Sequence, residues 1–183
     1  EIISDYPEIP LILDPVLASG RGDELASEDM IAAMRELLLP QTTLLTPNSL
    51  EARRMVQDED NDDDHPGLAE CARRLIGAGT EFVLITGTHE HSAQVVNTLY
   101  GENGLIRADS WERLPGSYHG SGCTLASAIA ANLANGLDIA EADQIIELAQ
   151  KQNRIVAVDM HKRYDPDHLR IRNDIQNRIG EPL

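Results

Sequence analysis

Residues 116–136, GSYHGSGCTLASAIAANLANG, place the types that could do chemistry closest together. Gly116, Gly120 and Gly122 share one short loop, an Ala-rich apolar run follows from Thr124 to Leu133, and Asn135-Gly136 stops it. This pattern predicts a glycine loop opening a helix. A helix start carries unpaired backbone N–H groups and about half a positive charge. Glycines at Gly120 and Gly122, with Ser121 between them, let those N–H groups come close to an anion that a Cβ would hold off. Cys123 lies at the mouth of this cradle, where the helix dipole favours a thiolate. An anion cradle with a base inside it suits phosphoryl transfer or acyl transfer. The competing reading is a tight turn before a buried helix, with Cys123 as a small core residue.

Other elements must bring partners to that loop. Residues 9–14, IPLILD, form a short apolar run between Pro10 and Pro15, apolar on both faces as a buried parallel strand would be. Asp14 then falls at its C-terminal end, the edge where ligands gather in open α/β sheets. Ser27 is an N-cap for the amphipathic run 28–39, which Pro40 closes. A second strand, 42–46, ends at Pro47. Asn48 caps a short helix from Ser49 to about Val56, which sets Asn48 and Glu51 one turn apart at a helix start. A helix over about 67–76 and a strand over 81–86 come next, with Thr86 and Gly87 at the strand's end. The runs 93–100 and 105–111 flank a four-residue turn and predict a hairpin. The glycine loop and its helix follow, then a long helix over about 139–158 and a highly charged tail, 159–183.

The resulting order, β-α-β-α-α-β-β-β-α-α, predicts an α/β fold of parallel units with an antiparallel hairpin toward one edge. There is no internal repeat and no linker, so residues 1–183 read as a single domain. Aromatic residues make up only 3% of the chain, so Leu, Ile, Val and Ala must fill the core. The formal net charge of -16 argues against nucleic-acid binding as a main role. Part of that charge is a local run over 58–64, DEDNDDD, which reads as a solvated loop because its spacing does not fit an EF-hand. Cys71 and Cys123 are the cysteines, and so small a number fits a reduced, cytoplasmic protein better than a disulfide framework. Cys71 reads as core on its helix. No apolar run reaches the roughly 18 residues of a membrane span. The first residues, EIISDYPEIP, have neither an initiator Met nor a basic leader, so the chain reads as a fragment without a signal peptide.

Four motifs taken in order resemble the hydroxymethylpyrimidine and phosphomethylpyrimidine kinases of thiamine biosynthesis, in the ribokinase-like superfamily. They are Asp14-Pro15-Val16 with residues 19–23; residues 38–51, LLPQTTLLTPNSLE; residues 83–89, VLITGTH; and residues 120–124, GSGCT. Cys rather than the superfamily's more usual Asp in the glycine loop points to the pyrimidine kinase branch. The resemblance implies a ribokinase-like three-layer α/β/α fold with a mostly parallel central sheet. It implies transfer of the γ-phosphoryl group of ATP to hydroxymethylpyrimidine and then to its monophosphate. Gly120, Ser121 and Gly122 would stabilise charge on the moving phosphoryl group, and Cys123, with a depressed thiol pKa, would accept the hydroxyl proton. Asn48 and Glu51 match an NxxE pattern acting near Mg²⁺ and the phosphates, Thr86 and Gly87 would contact the triphosphate, and Asp14 with Glu51 would hold the metal region. His89 matches a family position without a chemical role of its own, and His119 receives none. A homodimer is also implied.

The chain departs from the family in two places. Many members have Lys-Gly-Gly-His where this chain has Thr86-Gly87-Thr88-His89, and the chain's two lysines, Lys151 and Lys162, lie elsewhere. The family also has an N-terminal portion, ahead of the strand bearing Asp14, that holds most of the pyrimidine contacts. The expectation is therefore a longer natural protein, or a partner chain that covers the exposed face. Pyridoxal kinase is the nearest alternative, since it shares the fold, the Cys-bearing loop and a hydroxymethyl acceptor. A degenerate nucleotide-binding module without catalysis would explain the lost lysine. A cysteine acyltransferase using His119 or His89 as base would explain Cys123 but not Asp14 or the NxxE pattern.

Overall fold

The computed structural model describes residues 3–18, 23–57, 66–113 and 120–139. Among them, five strands form one sheet in the order β1-β2-β3-β4-β5. These are β1 (Ile12–Leu13), β2 (Leu44–Leu45), β3 (Phe82–Ile85), β4 (Gln94–Gly101) and β5 (Gly104–Glu112). β1, β2 and β3 pair in parallel, with Ile12 beside Leu44 and Leu44 beside Phe82. β4 and β5 form an antiparallel hairpin joined to β3 through Val83 and Tyr100. The α/β architecture with a hairpin at one edge is the one the sequence predicts.

The first two strands are shorter than their apolar runs. Pro10 and Pro15 flank β1 and Pro47 follows β2, and proline cannot donate to a ladder. Single hydrogen bonds extend the pairing instead, from Thr43 N to Leu11 O at 2.9 Å and from Thr46 N to Leu13 O at 3.0 Å.

Helices cover both faces. On one side α1 (Glu28–Ala33), α2 (Ser49–Val56) and α3 (Leu68–Gly77) enclose Ile31, Leu45, Met55, Cys71, Leu75, Val83 and Ile85. On the other, α4 (Ser121–Ala134) lays Leu125 and Ile129 against Leu44, Leu84 and Leu99. Each such side chain contributes about 1.5–3 kcal/mol when taken fully out of water. Cys71 is in the core as expected, fully buried with its thiol facing the Pro66 carbonyl.

The run expected to be one helix over 28–39 is interrupted. α1 ends at Ala33, a π-turn spans Met34–Leu38 and a 3₁₀ turn spans Leu39–Gln41. Pro40 is the physical cause: it has no N–H, and its ring collides with the carbonyl one turn back in an α-helix. Side chains take up the freed carbonyls. Gln41 Nε2 donates to Leu37 O at 2.6 Å, Thr42 Oγ1 to Leu38 O at 2.8 Å and Thr80 Oγ1 to Leu39 O at 3.3 Å.

No helix among the described residues is long and apolar enough to cross a membrane. The acidic run 58–64, the motif residues 19–22, Gly116 and His119, the rest of the helix expected over 139–158 and the tail 159–183 lie outside the described residues.

Candidate active site

The carboxyl ends of the parallel strands and the start of α4 meet at one edge. Asp14 follows β1 directly, Asn48 opens α2 just beyond β2, and Thr86 and Gly87 follow β3. Asn48 and Thr86 form a parallel bridge, with Ser49 N donating to Thr86 O at 3.1 Å and Thr86 N to Pro47 O at 2.9 Å. This fastens the ends of β2 and β3 together.

Asn48 and Glu51 make a complete capping box. Asn48 Oδ1 accepts from Leu50 N at 2.9 Å and from Glu51 N at 3.0 Å. Glu51 Oε2 accepts from Asn48 N at 2.8 Å, and its Oε1 from Leu17 N at 3.5 Å. Reciprocal bonding of this kind satisfies donors that a helix start would leave unpaired. Glu51 is thus a buried carboxylate tying α2 to the segment after β1, not a solvated helix residue. Burial pushes its pKa up, backbone N–H groups oppose that, and the charge of Asp14 adds to the rise.

Asp14 is the centre of the site. Burial raises its pKa, while a hydrogen bond from the Cys123 thiol works the other way. Its Oδ2 is buried with no hydrogen-bond partner among the described residues. Such an atom is costly unless something satisfies it. Magnesium commonly takes one or two carboxylates and keeps several waters, so the Asp14–Glu51 pair fits that ion. Asp14 would offer the open oxygen, and Glu51, with both oxygens on backbone N–H groups, would add mainly negative charge. No group of three or more His, Cys, Asp or Glu side chains among the described residues could hold a metal by itself.

α4 begins at Ser121, with Gly120 as a left-handed N-cap at φ 82° and no side-chain cap. Thr124 holds this start by donating from its N at 3.0 Å and from Oγ1 at 2.9 Å to Gly120 O. A Cβ added at Gly120 or at Gly122 would meet nothing within 4 Å among the described residues. Among the described residues both positions border open space, as a backbone cradle for an anion requires. Gly87 differs. A Cβ there would lie 2.3 Å from Val96 O, so this glycine is needed for the close passage of β4. Its N donates to Asn97 Oδ1 at 3.3 Å.

The expectation of a depressed Cys123 thiol is overturned. Its pKa is pushed up to about 11, with loss of solvent around the sulfur the largest cause and the hydrogen bond to Asp14 next. Because the residue as a whole is exposed, the Asp14 bond and the carboxylate's charge are the causes that geometry supports best. They outweigh the residue's own amide, which acts in the opposite direction. The helix dipole and the glycine loop are present, but the nearest full charge is negative.

The structure therefore brings Asp14, Glu51 and Cys123 together, with Asn48 and Thr86 fastened beside them. His89 is exposed in the loop after β3. Sequence reasoning missed Arg53, Glu90, Asn97 and Arg113, which hold that loop. Only their charge or polarity was visible in the sequence, and no local spacing signals a contact between α2, the loop and the end of β5.

The family model for phosphomethylpyrimidine kinase matches residues 1–154. A hydroxymethylpyrimidine/phosphomethylpyrimidine kinase of Mycobacterium tuberculosis is 40% identical over 136 residues, covering 73% of this chain and 48% of that protein. The chain thus spans about half the length of the curated relatives it matches. A phosphomethylpyrimidine kinase crystal structure from Clostridium difficile 630 superposes with a TM-score of 0.61 at 24% identity, covering 83% of this chain and 62% of that one. A pyridoxal kinase from Staphylococcus aureus, in complex with AMP-PCP and pyridoxal, gives 0.62 at 25% identity, covering 80% and 54%.

Proposed function

The chain belongs to the phosphomethylpyrimidine kinase family, and on that premise we propose that it moves the γ-phosphoryl group of ATP to the hydroxymethyl oxygen of hydroxymethylpyrimidine and then phosphorylates the monophosphate, in thiamine diphosphate biosynthesis. The observation that carries this reading is the start of α4: an uncapped helix terminus, glycines bordering open space at Gly120 and Gly122, and Cys123 hydrogen-bonded to Asp14.

Phosphoryl transfer asks a protein for alignment and charge stabilisation more than for covalent chemistry. The N–H groups at the start of α4, over residues 120–123, would stabilise charge developing on the transferred group. Thr86 and Gly87 would line the triphosphate side, next to the Asn48 cap. Asp14 and Glu51 would hold Mg²⁺, which supplies positive charge to the phosphates when bound. Cys123 is a thiol at rest and already donates to Asp14. The acceptor's hydroxyl proton would pass to Sγ as the thiol proton passes to the Asp14 carboxylate. The acceptor oxygen bonds to the γ-phosphorus, the bond from that phosphorus to the bridging oxygen breaks, and ADP leaves. In the second reaction the acceptor would be an anionic phosphate, so a base is less needed there.

The whole protein would be a single ribokinase-like domain acting in the cytoplasm, as a homodimer, on small molecules. The likeness to solved pyridoxal kinases supports a second reading in which pyridoxal is the acceptor. Competition decides between them. With ATP and Mg²⁺ at fixed concentration and both acceptors present in equal amounts, ³¹P NMR should show the pyrimidine phosphate as the main product. Pyridoxal phosphate as the main product would move the assignment to the second reading.

A further inference from the structure

The loop that follows β3 is held by more polar contacts than its exposed position requires. Arg113, just beyond the end of β5, donates to three of its carbonyls: Nε to Ser92 O at 3.1 Å, Nη1 to Thr88 O at 2.6 Å and Nη2 to Glu90 O at 2.7 Å. From α2, Arg53 pairs with both carboxylate oxygens of Glu90, at 2.8 and 3.2 Å, and also donates to Ser49 O at 3.3 Å. At the loop's root Asn97 accepts from Gly87 N. A guanidinium is a rigid planar fork of five N–H donors. Spread over alternate carbonyls, one such fork fixes the orientation of three peptide planes at once.

We propose that Arg113 is a positioning residue for the nucleotide side of this site, fixing loop 88–92 beside Thr86 and Gly87, and that the Arg53–Glu90 pair clamps the same loop from α2. This rests on the kinase reading above. It assigns Arg113 to holding the loop's carbonyls and Arg53 to holding the Glu90 carboxylate, rather than either to meeting phosphate. A cation that met phosphate directly would act through its charge. A fork that holds carbonyls acts through its shape.

The test uses the full natural chain, wild type, Arg113→Ala, Arg113→Lys and Glu90→Gln. Amide hydrogen exchange across 88–92 should quicken by about tenfold or more in Arg113→Ala, with the β3 amides unchanged. The dissociation constant for AMP-PCP with Mg²⁺ should rise by about tenfold while the KM for the pyrimidine stays as in wild type. Arg113→Lys should not restore binding, because one ammonium cannot serve three separated carbonyls. Glu90→Gln should shift both readouts in the same direction by less, and it decides the matter if Arg113→Ala does not fold. Unchanged exchange, unchanged nucleotide binding, or rescue by Lys would each overturn the proposal. Failure of the wild type to bind AMP-PCP would overturn the kinase reading itself, and this proposal with it.

Discussion

At the scale of single residues, the account turns on how Asp14 sets its neighbours. If its carboxylate holds the Cys123 thiol protonated, the thiolate absorbance of the free protein should rise only as pH approaches about 11. Asp14→Asn removes the negative partner, so the same titration should move to lower pH. A titration unmoved by the substitution would separate the two groups. Stability should respond as well. Burial raises the Asp14 pKa, so the folded protein binds that proton more tightly than the unfolded chain. Stability from this group therefore falls as pH rises from the unfolded value through the raised folded one. Asp14→Asn should then melt higher than wild type at pH 7 without divalent cation, and adding Mg²⁺ should raise the melting temperature of wild type alone.

Two glycines give an opposed pair of outcomes. Gly122→Ala lies in a helix with open space around the new methyl. It should stabilise the fold by roughly 0.5–1 kcal/mol while lowering turnover, because the methyl occupies the cradle. Gly87→Ala places its methyl against the Val96 backbone, which cannot swing aside. Thermal melts should show it destabilised by about 1–3 kcal/mol or more. Both glycines stand out equally in the sequence. What separates them is the path of β4 past Gly87, a tertiary fact that no local spacing encodes.

At the scale of elements, the sequence was most legible where a local rule acts alone. Asn48 with Glu51 reads as a capping box, and the structure forms one. Glu51→Ala should cost about 1–3 kcal/mol, since it leaves the N–H groups of Asn48 and Leu17 without their carboxylate. Urea denaturation would measure the loss, and a cost near zero would mean that water replaces the carboxylate freely. The hairpin, the start of α4 and the buried Cys71 were readable for the same reason. The interruption over Met34–Leu38 was not. Apolar spacing through residues 28–39 continues a helix pattern, and it takes the Thr80 and Thr42 side chains to show how the Pro40 break is accommodated. The thiol's raised pKa was hidden in the same way. Dipole and glycine loop are local, whereas Asp14 arrives from the far end of the chain.

At the scale of the whole molecule, three strand ends and one helix start converge because β1, β2 and β3 pair in parallel, so that their carboxyl ends share one edge. That common edge is why motifs scattered from Asp14 to Cys123 can form one site. It also explains why the strand ends were legible before their contacts were. The sheet order runs with the sequence from β1 to β5, and α4 alone crosses to the opposite face among the described helices. α4 therefore sets the cradle against the sheet through Leu125 and Ile129. Ile129→Ala should loosen that face at a cost of about 2–5 kcal/mol. Turnover should fall beyond what the unfolded fraction accounts for, as read by activity per folded molecule.

The central claim is phosphoryl transfer at the start of α4. Its most direct measurement is the conversion of ATP and hydroxymethylpyrimidine, with Mg²⁺, by the full natural chain and by Cys123→Ala, followed by ³¹P NMR. The expected result is the monophosphate and then the diphosphate from wild type. The first step should be slowed by roughly 10²–10⁴-fold in Cys123→Ala, and the second far less. Nucleotide binding without any transfer to the pyrimidine or to pyridoxal would contradict the claim and leave a binding module in place of a kinase.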